Sequence, residues 1–221
     1  MKIPKFKDKL LFENAFIHRS YLNENPKWKL GSNERLEFLG DAVLEFLTSE
    51  HLYKTYDQEP EGRLTAYRSS LVKTETLAAL AKDLDFGKKL KLSKGEDESG
   101  GRKSGYLLAD TFEAFIGALY LDQGIPACRT FLEETLFPKL DEIVRTRSYK
   151  DYKSLLQEIA QEKVNFTPIY KVIDEQGPDH NKIFKVGVII RGKQEGVGEG
   201  SSKQRAEINA AEDALKCLGW G

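Results

Sequence analysis

No run of eighteen apolar residues occurs in this chain, which excludes a membrane-spanning helix, and the opening Met-Lys-Ile-Pro-Lys-Phe-Lys lacks the apolar core of a secretory signal. The expectation is a soluble, cytoplasmic protein with no membrane partner. Cysteine is scarce: Cys128 and Cys217 stand far apart in no ligand spacing, so neither a disulfide framework nor a zinc site is supported, and both read as small hydrophobes. A di-iron helical bundle wants Glu-x-x-His pairs, and none of His18, His51 and His180 follows a glutamate by three positions. A surplus of either charge is also missing. The chain holds 34 Lys+Arg against 35 Asp+Glu, and eleven of each lie from Ser148 onward, so neither part is basic overall. Nucleic-acid binding therefore cannot be argued from total charge, and any basic surface is local.

What is present is a chain of 221 residues, 40% hydrophobic, enough for one medium domain or two small ones. Helical periodicity dominates the first two thirds. Lys7 to Tyr21 reads as a helix with Leu11, Ala15 and Phe16 near one face. Asn33 reads as an N-cap, and Glu34 as a first-turn acid suited to the helix dipole, opening a helix to about Tyr56 with Leu36, Leu39, Val43 and Leu47 inward. Gly40 inside that helix costs roughly 1 kcal/mol against Ala and so marks a close approach by another helix or a ligand. Further helices are expected at Leu64 to Leu84, Tyr106 to Asp122 and Pro126 to Val144, with a mobile, glycine-rich loop from Lys94 to Lys103. Arg145 to Lys150 has no core-forming pattern, which sets a boundary between domains 1–147 and 148–221. After it the pattern turns mixed: a helix from Tyr152 to Val164, strands at 169–174, 183–190 and 194–198 with a turn at Arg191-Gly192-Lys193, and an alanine-rich helix capped by Ser201 or Ser202. The fold class is an all-α first domain followed by a small αβββα domain.

Two stripes of acid stand out. Glu37 and Asp41 lie four apart on one helix, and Asp110 and Glu113 three apart at the head of another, so each pair shares a helix face. Four carboxylates on two helices make an oxygen-only donor set that suits Mg²⁺, which keeps waters and is completed by substrate phosphates. Metal-activated water attacking a phosphate ester is the matching chemistry. The same spacings also fit plain solvated helix faces, which leaves both readings open at this point. Phe38 lies about 200° around the helix from Leu36, off the core stripe, as a second core contact or a partner contact.

The run Asn-Glu-Arg-Leu-Glu-Phe-Leu-Gly-Asp-Ala at 33–42 resembles the signature of bacterial ribonuclease III, and Leu-Leu-Ala-Asp-Thr-Phe-Glu-Ala at 107–114 continues the likeness. The last domain, with Gly-Pro-Asp-His at 177–180 and Gly-Glu-Gly-Ser-Ser-Lys at 198–203, resembles a double-stranded-RNA-binding domain. The resemblance implies a homodimeric, Mg²⁺-dependent endonuclease of double-stranded RNA, with Mn²⁺ able to substitute. It further implies 5′-phosphate and 3′-hydroxyl ends with short 3′ overhangs, in rRNA and mRNA precursor processing. Glu37, Asp41, Asp110 and Glu113 fall on the family's metal-binding acids, Asp41 and Glu113 on its usual active-site pair, and Phe38 on its dimer-interface knob. Glu61 falls near a further acidic position at the cleavage valley. Ser154, Gln157, Glu158 and Gln161 fall on a helix facing one minor groove, His180 on the loop facing the next, and Lys203 at the phosphates. The family's paired lysines appear here as Lys203-Gln204-Arg205, with Arg205 in place to take up the second contact, and the N-terminal turns are short. From a different class, the alternative is a catalytically silent dimeric double-stranded-RNA-binding protein.

Overall fold

The computed structural model describes residues 2–145, 152–178 and 182–220, and the chain falls into two compact units, Met1–Tyr149 and Lys150–Gly221. The expected boundary between 147 and 148 lies outside the described residues.

The first unit is helical: α1 (Lys9–Asn14), α2 (Arg19–Glu24), α3 (Glu34–Thr55), α4 (Glu61–Val72), α5 (Thr74–Asp83), α6 (Phe86–Lys89), α7 (Lys94–Glu98), α8 (Gly105–Thr135) and α9 (Lys139–Arg145). Its centre is the pairing of α3 with α8. Leu36, Val43, Leu44 and Leu47 recur at helical spacing along α3 and are buried against Phe112, Phe115, Ile116 and Leu119 of α8. Backbone meets backbone at the crossing. A Cβ on Gly40 would lie 1.8 Å from the Glu113 carbonyl oxygen, and one on Gly117 would lie 2.1 Å from that of Leu36, so only glycine fits at either place. Gly124 breaks α8 with φ 76°, two residues before Pro126. Around the crossing an aromatic cluster fills the core, with Phe16, Phe86 and Phe115 linked at centroid distances of 5.1 and 5.0 Å.

Two expected helical stretches are broken otherwise than their periodicity implies, and one expected loop is folded. Lys7 to Tyr21 is two helices, because the intervening Ile17 pairs in parallel with Lys91 and His18 caps α2 through its ring nitrogen. Leu64 to Leu84 is interrupted at Lys73, whose extended backbone (ψ 152°) starts α5 afresh. The stretch expected as a mobile loop is folded: α7 is followed by a 3-10 turn at Gly101–Lys103, and the Arg102 guanidinium donates to Asp97 (2.7 Å) and to the carbonyls of Gly87 and Leu90 (3.1 and 2.6 Å). Cys128 is buried, as read; Cys217 is exposed and so is not a core hydrophobe.

The second unit runs α10 (Tyr152–Val164), β1 (Ile169–Gln176), β2 (Ile183–Ile190), β3 (Lys193–Gly200) and α11 (Lys203–Cys217), the strands forming an antiparallel sheet in the order β1-β2-β3. Alternation in β2 sends Val186, Val188 and Ile190 into the core with Leu156, Ala160 and the alanines of α11. The β2–β3 turn uses Arg191 and Gly192 at φ 49° and 79°, the pair of positive values that suits a two-residue hairpin. Ala206, Ala210 and Ala214 recur every four residues, and Gly198 lets α11 lie directly on β3: a Cβ there would sit 2.1 Å from the Ala210 nitrogen. That contact sets where the first turn of α11 stands.

Candidate metal centre and nucleic-acid interface

The acid cluster forms where α3 and α8 cross, one turn from the glycine contact. Glu37, Asp110 and Glu113 each present a ligand atom within 4.8 Å of the others. Asp41 stands outside that triad and is exposed, yet its charge acts on both Glu37 and Glu113. Burial, then the charges of Asp41, Asp110, Glu37 and Glu45, push the Glu113 carboxyl up to about 8. Burial also raises Glu37, with Asp110, Glu34 and Asp41 adding to it. Asp110 is raised by burial as well, and the nearby His18 opposes that rise. So much negative charge drawn together on a half-buried surface is unfavourable unless a cation compensates it. All its donors are carboxylate oxygens, the set preferred by a hard divalent ion.

Beside the triad opens a pocket of about 330 Å³ lined by His18, Arg19, Asn33, Glu34, Glu37 and Asp110 among others. Two readings change here. Asn33 precedes α3 but makes no side-chain cap; it is buried, and its Nδ2 donates to the Ala15 carbonyl (3.2 Å). Glu34 does occupy the first turn, but it also forms the pocket wall, accepting from the Ser32 hydroxyl (2.9 Å) with Arg19 at 3.7 Å. Its place three before Glu37 on the same face was the available signal. His18 had none, because its approach depends on the Ile17–Lys91 pairing. Glu61 is exposed at the start of α4, accepts from the Thr65 hydroxyl (2.9 Å), and lines a different cavity.

Along α3 on its outer side, Phe38, Phe46 and Tyr53 are 81%, 56% and 73% exposed. Next to Phe46 and Tyr53 lies a cavity of about 480 Å³, walled also by Leu52, Leu64 and Arg68. Arg68 is held by Glu45 at 2.8 Å and donates to the Ser49 hydroxyl at 2.9 Å.

In the second unit, Ser154, Gln157, Glu158 and Gln161 are all exposed, and their spacing puts them on one stripe of α10 away from the buried Leu156 and Ala160. The Ser202 hydroxyl caps α11 by accepting from the Arg205 N–H (3.2 Å), so Lys203 and the exposed Arg205 stand in its first turn. Lys203 reaches back to Glu175 of β1 at 3.4 Å and lies 5.6 Å from the Phe184 ring centroid. His180 lies outside the described residues.

A helical unit with a carboxylate cluster, followed by an αβββα unit with a polar helix face and a capped basic helix start, defines the class: a nuclease domain joined to a double-stranded-RNA-binding domain. Family models agree on both parts, with a ribonuclease-III-like domain matching residues 8–140 and a double-stranded RNA binding motif matching residues 152–218. The chain belongs to the ribonuclease III family and is an endoribonuclease. It is 46% identical over 213 residues to Ribonuclease 3 of Enterococcus faecalis, covering 96% of this chain and 92% of that one. Ribonuclease 3 of Streptococcus pneumoniae is also 46% identical, over 96% of this chain and 91% of its own. Among solved structures, the nuclease domain of ribonuclease III from Campylobacter jejuni matches with a TM-score of 0.56 at 35% identity, over 61% of this chain and 88% of that one. Dicer from Pichia stipitis matches with a TM-score of 0.50 at 30% identity, over 98% and 97% of the two chains.

Proposed function

We propose that this endoribonuclease is a homodimer that cuts double-stranded RNA at the acid cluster with Mg²⁺, or Mn²⁺ in its place, leaving 5′-phosphate and 3′-hydroxyl ends with short 3′ overhangs. Precursors of rRNA and mRNA are the matching substrate class, and the cytoplasm the matching compartment. The observation that carries the reading is the triad of Glu37, Asp110 and Glu113 within 4.8 Å, with the Glu113 carboxyl held at about 8 by its surroundings. An oxygen-only cluster that resists its own ionisation fits a divalent ion. When bound, that ion supplies an activated water and stabilises charge on the phosphate oxygens. The chain's own residues do the rest: Glu37, Asp110 and Glu113 would hold the ion together with Asp41, which is exposed outside their triad and pairs with Glu113 as the active-site acids.

Dimerisation is supported by the outer face of α3, where Phe38 stands out from the surface and where, about two turns further along, Phe46 and Tyr53 help to wall a cavity of about 480 Å³. A two-fold pairing that seats each Phe38 in its partner's cavity buries both, and gives a duplex with approximate two-fold symmetry one acid cluster per strand. The exposed stripe of α10 suits the wide minor groove of A-form RNA, read through 2′-hydroxyls rather than bases, and the first turn of α11 with Lys203 and Arg205 suits the phosphates.

The test is cleavage of an end-labelled, fully paired RNA with Mg²⁺, beside single-stranded RNA and a chelator control. Duplex-specific, chelator-sensitive cutting to short-overhang products is expected, with Glu113→Ala binding the duplex but not cutting it. Binding without cutting by folded, dimeric wild-type protein would point to the silent RNA-binding alternative instead.

A further inference from the structure

We propose that His18 is a positioning residue of the acid cluster, its Nε2–H directed at the Asp110 carboxylate to hold that ligand for the ion. This rests on the metal reading above, and on the way the fold uses the histidine ring.

The ring has two edges, and only one serves the fold. Nδ1 accepts from the backbone N–H of Ser20 (3.3 Å), which caps α2, and the Ser20 hydroxyl lies 2.8 Å away. That hydroxyl accepts from the Ser93 N–H (3.0 Å), so its own proton is left to point at Nδ1. With two donors aimed at Nδ1, the neutral ring carries its proton on Nε2. Backbone bonds hold the residue from both sides: the His18 N–H donates to the Lys91 carbonyl (3.1 Å), and the Asn33 N–H donates to the Ile17 carbonyl (2.8 Å). The imidazole therefore reaches the pocket from a segment pinned to the start of α3.

Capping alone does not call for an imidazole. Ser, Thr, Asp or Asn would cap α2 as well and would leave the pocket empty of a ring. Among the described residues two of the pocket's other side-chain donors are bonded to backbone carbonyls, Asn33 Nδ2 to that of Ala15 and the Thr111 hydroxyl to that of Leu107 (2.5 Å), and the third, Arg19, is largely exposed and drawn toward Glu34. His18 Nε2–H is left for a pocket where Asp110 and Glu37 are acceptors. It also lies close enough to Asp110 to act on that carboxyl electrostatically. Carboxylates that bind metal are themselves held by hydrogen bonds from a surrounding layer, and loss of such a partner typically costs 10–100-fold in metal affinity.

Two substitutions separate this role from capping. Asn keeps an acceptor near the place of Nδ1 and is a good N-cap, but it cannot reach the pocket. Gln carries an N–H donor about as far from Cα as Nε2 does, but it caps poorly. Mn²⁺ binding to the full-length chain is measured by titration calorimetry, with the melting temperature beside it. The expectation is that His18→Asn melts like the wild type yet binds Mn²⁺ about 10–100-fold more weakly. His18→Gln is expected to melt a few degrees lower and to bind within about threefold of the wild type. Cleavage by His18→Asn should need correspondingly more Mg²⁺ at unchanged KM for the duplex. Wild-type Mn²⁺ affinity in His18→Asn, or equal loss in both variants, overturns the proposal while leaving the metal reading in place. A wild-type chain that binds no Mn²⁺ overturns both.

Discussion

Glu113 concentrates the electrostatic tension of the nuclease unit, and its titration gives that tension a sign. Its carboxyl ionises at about 8 in the fold, against 4.5 for the free group, so between those values the folded chain holds a proton that the unfolded chain has released. Stability contributed at this site therefore falls as pH rises from about 4.5 to about 8, and is flat above. Glu113→Gln keeps the shape and removes the charge. At pH 8 the variant's nuclease unit should melt several degrees above the wild type, about 2–4 °C for each kcal/mol of repulsion removed, and the two should converge near pH 5. Calorimetric scans at both pH values check this; equal melting temperatures at pH 8 would mean that the carboxylates are already balanced without an ion. Mg²⁺ should raise the wild-type melting temperature at pH 8 and leave Glu113→Gln nearly unmoved.

At the scale of elements, the crossing of α3 and α8 decides where every acid stands. Ala at position 40 would gain roughly 1 kcal/mol of helix propensity in an isolated helix. Here its methyl would collide with the Glu113 carbonyl oxygen at 1.8 Å, and overpacking of this kind costs about 1–3 kcal/mol and sometimes more. Gly40→Ala should therefore destabilise the nuclease unit by about 2 kcal/mol net, seen as a loss of roughly 4–8 °C, and should weaken Mn²⁺ binding because Glu37 and Asp41 move away from Glu113. An unaltered melting temperature and metal affinity would show that the helices can part without consequence. This crossing was legible beforehand, since a glycine inside a strongly periodic helix has few other reasons to be there. So was β2, where strict alternation at Phe184, Val186, Val188 and Ile190 has one geometric solution. The breaks after Asn14 and Val72 were not legible. Neither carries Gly or Pro; they arise from the pairing of Ile17 with Lys91 and from the extended turn at Lys73, which are tertiary facts. The charged stretch from Lys94 reads as a loop by composition, and only the reach of Arg102 to the Gly87 and Leu90 carbonyls orders it. In the candidate site spacing marked the four acids without deciding between a metal and a solvated face, whereas the pocket face of Glu34 and the approach of His18 needed the folded chain.

For the molecule as a whole, the proposed assembly and RNA capture are expected to be separable. Phe38, 81% exposed in one protomer, is the contact on which the proposed dimer depends. Truncating a well-seated aromatic anchor costs 2 kcal/mol or more, and a two-fold interface loses two, so Phe38→Ala should raise the dimer dissociation constant by about a thousandfold. Sedimentation across a dilution series reads this directly, and an unchanged mass at all dilutions would remove Phe38 from the interface. A fragment ending at Arg147 should still dimerise and cut duplex RNA at low salt, but lose most of its affinity near 0.15 M salt, because the polar face of α10 and the basic start of α11 are gone. Equal cleavage by fragment and full chain at both salts would contradict that division of labour.

The reciprocal seating of Gly40 on the Glu113 carbonyl and Gly117 on that of Leu36 leaves the two helices no slack in the closing direction. They act as a jaw already shut to its stop. Mg²⁺ asks for oxygens at 2.0–2.1 Å and Ca²⁺ accepts 2.3–2.6 Å, so the difference between them cannot be taken up by drawing the backbones together. For the proposed ion it would fall instead on side-chain reach, which would make the extra methylene of Glu37 and Glu113 over aspartate the adjustable part. Shortening either to aspartate is expected to leave a gap that this scaffold cannot follow, so that ion choice at the proposed site would be set by the length of the ligand arms rather than by movement of the helices that carry them.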